Sequence, residues 1–503
     1  MTGIASKIAA QITKTLNQPA RLYHVPFNLL RAQVGRVILR RPHLASAILS
    51  ALPERFLNSA RGKAFCNGIA SDLFQNDYPV EAWQYMERSI RAGRVTTDEY
   101  LMGAMCLYHG LGRFTEAMTL LERANALGAA EATRQGLDEI PYRVLDNVWA
   151  RHIGHTATLD YVVRLGALEG RKREDTILYV PKGSKIANRF LLNQLSQHLR
   201  LVDEPSDLPF DAAAVQALHF DYLAPRLPDS TTAYFWDLAG QTYERWHAEG
   251  KGPLLKLPEE TTARGWDVLH RAGVTQGAWF VALHVREGRW DERREGGHGV
   301  LNADIETYLP AISEITRRGG WVIRMGDPSM TKLPPLPNVI DYCHSDLRAD
   351  WMDIFIATQC RFMLGTSSGP AVIPGVYGVP MLLTNWWPPA QRPWHASDLF
   401  IPKLMRRNDG SYLTLSETLA EPFSYGHSRR YLAEKGVTVE NNGPETIRAG
   451  VGEMLAWLDG KSDDDAGVSD LRVRADGIYR ARGICGMGRL TADFLTRYKD
   501  LIV

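Results

Sequence analysis

Across residues 278–385 the chain alternates short apolar runs with longer amphipathic ones, and nothing else in it restricts the fold as tightly. The runs "WFVALHV", "WVIRM", "NVIDY", "RFMLG" and "VPMLLTN" have strand length. Between them, "ADIETYLPAISEITRRG" and "DWMDIFIATQ" carry apolar residues at helical spacing, and "PAVIPGVYG" reads as a short helix. Strands buried on both faces and separated by helices define a doubly wound parallel sheet, so the fold class is α/β.

Ligands of open parallel sheets bind outside the carboxyl ends of the strands. Those ends are polar here. The first presents His284, Arg286 and Glu287; the second Arg324, Gly326 and Asp327; the third Asp341; the fourth opens into Gly365, Thr366, Ser367, Ser368, Gly369 and Pro370. Gly365 and Gly369 let a ligand approach the backbone, the serines offer hydroxyls and amides, and a Pro-initiated helix presents free N–H groups to an anion. This loop is the expected diphosphate site, with an ordinary Ser cap as the bland alternative. Arg286 and Arg324 suit forked bonds to phosphate oxygens, or alternatively ion pairs with Asp327 or Asp341. His284, Glu287 and Asp327 are the candidate catalytic groups, with Asp341 also a candidate for donor binding.

The remainder is organised differently. No acidic residue occurs in residues 1–53, where Ile4, Ile8, Ile12 and Leu16 form an i, i+4 stripe among lysines and arginines. Such a basic amphipathic helix lies on anionic lipid through residues 1–45, or docks on the protein itself. Residues 60–136 read as paired helices, and "LYHGLGRFTEAMTLLERANALG" is similar to one tetratricopeptide unit. "TILYVP" followed by a helical segment marks a further α/β step, residues 203–264 read as long loops and short helices, and "KSDDDAGVSD" reads as an exposed linker before a final helix. The expected division is 1–58, a basic N-terminal segment; 59–140, helical hairpins; 141–270, a first Rossmann-like domain; 271–460, a second one binding the ligand; and 461–503, linker and helix.

Several classes are excluded. A formal net charge of +1 is not that of a nucleic-acid binder. The five cysteines have no paired short spacing, which predicts reduced thiols and no zinc ribbon. No dinucleotide fingerprint, phosphate-binding Walker loop, zinc-protease helix or nucleophile elbow is present. No Asp-x-Asp pair stands at a strand end, so neither a metal nor another cofactor is expected. Without a long apolar run or signal peptide, the expected location is cytoplasmic, peripheral on the inner membrane if residues 1–45 bind lipid.

"ALHVREGRW", "LNADIETYLPAISEITRRGGWVIRMGDPSM", "VIDYCHSDLRADWMDIFIATQCRFMLGTSSGPAVIPGVYGVPMLLTN" and "GMGRLTADFL" resemble a family of bacterial glycosyltransferases associated with surface-polysaccharide gene clusters. More remotely, "HVR" and "Thr-Ser-Ser" resemble the fucosyltransferase group of the GT-B superfamily, where an arginine matching Arg286 meets the nucleotide diphosphate. The second arginine of that group is Glu287 here. The resemblance implies a GT-B pair of Rossmann-like domains preceded by the helical segment, and transfer of a sugar from a nucleotide-sugar donor to a glycan or lipid-linked acceptor. Two other readings stand beside it: a non-catalytic nucleotide-sensing adaptor that recruits partners through its helices, and a nucleotide-sugar-modifying enzyme.

Overall fold

The computed structural model describes residues 26–93, 95–137, 140–288, 299–461 and 466–503. The stripe Ile4, Ile8, Ile12 and Leu16 and the acidic run 463–465 lie outside them. The chain forms two compact units. Of the described residues, the first holds 26–128, Gly299, Val300 and Glu421–Thr438, and the second holds the others.

The first unit is helical. Its helices include Pro26–Arg40, Ala60–Gln75, Pro79–Arg91 and Thr97–Met105, followed by a π-helical turn, Cys106–Gly110, and the helix Phe114–Arg134. Phe65, Ile69 and Leu73 recur every fourth residue and meet Val34, Ile38, Tyr85 and Met86 in one core. Thr96 and Glu99 close a capping box, and the buried Glu99 also accepts from the Lys63 ammonium at 2.9 Å. This carboxylate is therefore both paired and hydrogen-bonded, as burial demands. A segment 306 positions downstream joins the unit: the Thr115 N–H and hydroxyl donate to Glu421, Tyr425 stacks on Phe114, and the His427 N–H donates to the His109 carbonyl. Nothing in the linear sequence announced that return.

The second unit is mixed α/β with parallel sheets. Strands β1 (Arg143–Leu145), β2 (Thr176–Tyr179) and β3 (Arg200–Val202) form a small sheet in that order. Then follow β4 (Phe280–His284), β5 (Trp321–Arg324), β6 (Val339–Ile340), β7 (Met363–Gly365), β8 (Met381–Trp386), β9 (Leu399–Pro402), β10 (Leu404–Arg407), β11 (Val437–Glu440) and β12 (Arg489–Leu490). The large sheet runs β12-β9-β8-β7-β4-β5-β6 with every pairing parallel, and β10 and β11 stand outside it. β4 is buried along its whole length because helices cover both faces. On one side Val281 and Leu283 share a core with Ile312, Ile315, Val451 and Met454, from the helices Leu309–Arg317 and Pro444–Leu458. On the other, Phe280 meets Trp266 and Phe355, from Glu259–Arg271 and Asp350–Gln359. Each such side chain contributes about 1.5–3 kcal/mol of burial.

Several local expectations change. The stretch 203–264 contains a full 14-residue helix, Phe235–Ala248, whose Trp236, Leu238, Ala239, Thr242 and Tyr243 form its buried face. The aromatic clustering there marks helix packing, not loops. The expected helix ending at Gly319 opens as a 3-10 turn, Ile305–Tyr308, before the α-helix. After residue 466 the chain forms the helix Ala466–Ala481, then β12 on the sheet edge, then the helix Ala492–Arg497. The five cysteines are unpaired, four of them buried. Among the described residues no helix is long and apolar enough to cross a membrane.

Candidate functional site

In chain order the large sheet starts at β4, adds β5 and β6 on one flank, then continues with β7, β8, β9 and β12 on the other. The winding reverses between β4 and β7, and a crevice at their carboxyl ends is the ligand position of such sheets. His284 pairs with Gly365 at the last step of that ladder. Beyond it the two segments stay joined: the Thr366 N–H donates to the His284 carbonyl at 3.1 Å, and the Arg286 N–H donates to the Thr366 hydroxyl at 3.0 Å. Ser367 accepts from the Trp387 N–H at 2.7 Å, and the Ser368 hydroxyl meets His284 Nδ1 at 3.0 Å. The loop hydroxyls thus hold the loop in place. Among the described residues the N–H groups of Ser367, Ser368 and Gly369 have no acceptor, which leaves a run of backbone donors at the switch point. The following helix is shorter than expected, a 3-10 turn Pro370–Val372 and a single turn Ile373–Val376, so the donors are the loop's own amides.

Arg286 and His284 set the electrostatics. Among the described residues Arg286 has no carboxylate partner, and its Nε is buried without an acceptor. Burial alone pulls its pKa down to about 10. A guanidinium held this way gains from an incoming anion, because part of its desolvation has already been met by the fold. His284 is 5% exposed, and its pKa falls to about 4, first through burial and then through the charges of Arg286 and Arg324. It is neutral at physiological pH. When Nδ1 donates to Ser368, Nε2 keeps a free lone pair.

The neighbouring strand end is arranged otherwise. Arg324 is wholly buried; its Nη2 donates to Glu287 at 2.7 Å, and its Nη1 to the Thr331 carbonyl at 2.5 Å and to Asp341 at 3.4 Å. Glu287 also accepts the Thr331 N–H, and Asp341 the Leu333 N–H. Arg324, Glu287 and Asp341 therefore form one internal network bracing the loop after β5, the ion-pair alternative for Arg324. Asp327 accepts the Ser329 N–H within its own turn, away from His284. Gly326 serves that turn by its backbone: φ is +148°, and a Cβ would lie 2.3 Å from Met330 Sδ. One described group has metal-like spacing, Asp341, Cys343 and His344, with donor atoms within 4.8 Å. Asp341 already faces Arg324, the Cys343 thiol is pushed up to about 12 by burial and donates to Asp341, and His344 Nε2 lies against the Met330 carbonyl. These internal bonds account for the cluster.

The structure adds residues that the sequence did not single out. The helix Ile153–Leu168, which follows β1 of the small sheet, brings Gly154 against Gly369: a Cβ on Gly154 would lie 2.8 Å from Gly369 Cα, and one on Gly369 would lie 2.9 Å from the Gly154 nitrogen. Only paired glycines allow that approach. At the end of β8, Asn385 (φ +50°) exchanges bonds with Asn442 and donates to the Tyr308 hydroxyl, which meets Thr384. "HIGH" and "LLTN" carry no signal for these roles, because the contacts come from distant elements.

No family model matches the chain, and no curated protein sequence matches it. Among solved structures it is similar to a glycosyl transferase family 9 protein from Veillonella parvula DSM 2008, over 59% of this chain and 78% of that one, at 12% identity and a TM-score of 0.28. A likeness of that size does not define a shared fold, so the chemistry is read from the side chains themselves.

Proposed function

We propose that the chain is a glycosyltransferase that moves a sugar from a nucleotide-sugar donor to a glycan or lipid-linked acceptor. One observation carries this reading: at the switch point of a parallel sheet, Arg286, without a counter-ion among the described residues, shares the strand ends with three backbone N–H groups that have no acceptor among them. That is a site for a dianionic leaving group. The small sheet, meeting the loop through Gly154 and Gly369, is the second, acceptor-side half of a GT-B pair, with residues 141–270 on the acceptor side and 271–460 on the donor side.

Transfer breaks the bond between the sugar's anomeric carbon and the diphosphate oxygen and forms one to the acceptor oxygen. Arg286 and the amides of Ser367, Ser368 and Gly369 stabilise the charge that develops on the diphosphate. His284, neutral and oriented by Ser368, takes the acceptor proton on Nε2 in an inverting transfer. Its low basicity suits that task once the donor's negative charge offsets Arg286 and raises it.

The test is thermal-shift and calorimetric titration with UDP, GDP and CMP and their sugars. One class is expected to stabilise the protein and to lose affinity in Arg286→Ala; no response to any nucleotide overturns the reading. The engagement of Glu287 and Asp341 with Arg324 favours a second one, a nucleotide-sensing adaptor, since it takes up two of the strand-end carboxylates that could act as a base. Nucleotide binding without donor turnover when acceptor glycans are supplied supports the adaptor.

A further inference from the structure

At the far edge of the large sheet, beneath the helix Ala466–Ala481, Arg392, Arg472 and Arg489 line an open pocket of about 30 Å³ with Phe400, Asp476 and Tyr479. We propose that this pocket binds a small oxyanion, a phosphate or carboxylate group, at a site separate from the switch point. Three strand spacings, β7 to β8 to β9 to β12, separate the two positions, roughly 14 Å at about 4.8 Å per strand.

The arginines are fixed by the fold before any ligand arrives. Arg392 is 7% exposed; its Nε donates to the Gly488 carbonyl at 2.9 Å and its Nη1 to Asp476, with the guanidinium over the Tyr479 ring. Arg472 donates from Nε to the Leu490 carbonyl and from Nη2 to Glu453 at 2.6 Å. Arg489 differs. Its guanidinium lies over the Trp457 ring at 5.6 Å, its Nε is buried without an acceptor, and no carboxylate among the described residues pairs with it.

Charge and size select the ligand class. Asp476 and Glu453 balance two of the three cations, so among the described residues one positive charge is left, and it lies on Arg489. A planar guanidinium with a free buried N–H matches a phosphate or carboxylate oxygen in direction as well as charge. The volume falls below the several hundred Å³ typical of sites for drug-sized ligands, which limits the occupant to a small ion or the anionic end group of a larger molecule. The edge position leaves the pocket open without unwinding the sheet.

The experiment titrates the full chain with inorganic phosphate, with acetate, and with chloride at matched ionic strength, and reads hydrogen–deuterium exchange over residues 472–490. Saturable protection by phosphate is expected. Protection by acetate as well assigns any oxyanion, and protection by phosphate alone assigns the phosphate group. Arg489→Gln is expected to weaken binding roughly tenfold or more, and Arg489→Lys, which keeps the charge but loses the fork, severalfold. Arg286→Ala leaves this protection unchanged. Three outcomes overturn the proposal: no saturable protection in the millimolar range, equal protection by chloride, or protection lost in Arg286→Ala but kept in the Arg489 variants. If Arg489→Gln does not fold, Arg489→Lys and the Arg286→Ala comparison still decide.

Discussion

The carboxyl ends of β4 and β5 lie side by side, and each delivers an arginine. Arg324 is wholly buried, with Glu287 and Asp341 on its guanidinium. Arg286 is partly buried and has no carboxylate partner among the described residues, while its backbone N–H donates to the Thr366 hydroxyl of the loop. The first arginine has its charge paired within the protein and braces it, although its Nε, like that of Arg286, has no acceptor. The second has no carboxylate partner among the described residues, which is the physical condition for binding an anion from outside. Two residues of one type, at neighbouring strand ends of one sheet but three register positions apart, are thus held in different ways.

The largest expected effect tests the bracing side. Arg324→Ala strands two carboxylates without their cation and is expected to cost about 3–5 kcal/mol in urea unfolding. Arg286→Ala removes a cation that has no carboxylate partner among the described residues and should change stability by less than about 1 kcal/mol. Equal losses in the two variants would break the comparison.

Next comes the acid response of the β4 end. The folded pKa of His284 is about 4, against about 6.5 when unfolded, so between those values the unfolded chain binds the extra proton. The contribution is complete above pH 6.5, is lost as pH falls toward 4, and amounts to about 3 kcal/mol in all. His395, buried and lowered to about 3, adds a similar slope. The informative quantity is therefore the difference between wild type and His284→Gln, and identical pH profiles would remove His284 from the account.

A smaller effect concerns binding itself. Arg286→Ala is expected to weaken nucleoside diphosphate affinity by roughly 10- to 100-fold, the value of a charge-assisted bond. The same variant should raise the His284 pKa, read by NMR titration, but leave it below the ordinary histidine value, because burial is the larger cause. The smallest effect is that of Ser368→Ala. It removes one partly buried hydrogen bond, worth about 1 kcal/mol, while shifting the pH profile of turnover without changing nucleotide affinity.

Much of the large sheet was legible in sequence. β4, β5, β7 and β8 are apolar runs because both faces of a parallel sheet are covered, and the turns between them are marked by Gly319 and by the Gly365–Gly369 pair. β9 and β12 were not read. "LFIP" has no helix before it and ends in proline, and β12 is only two residues long, so pairing with a neighbour defines each. The return of Glu421–Thr438 to the helical unit has no local signature, because its bonds go to residues three hundred positions earlier.

The sequence by itself determined which strand ends carry polar groups: the positions of His284, Arg286, Arg324 and the Gly365–Gly369 loop follow from periodicity and from the geometry of parallel sheets. Only the tertiary structure decided between the two arginines. Glu287 is the chain neighbour of Arg286, yet its carboxylate bonds Arg324, while Asp341 reaches the same guanidinium from beyond β6. Adjacent residues on extended backbone point to opposite sides, so sequence adjacency is a poor guide to ion pairing, and the partner is set by the strand alongside.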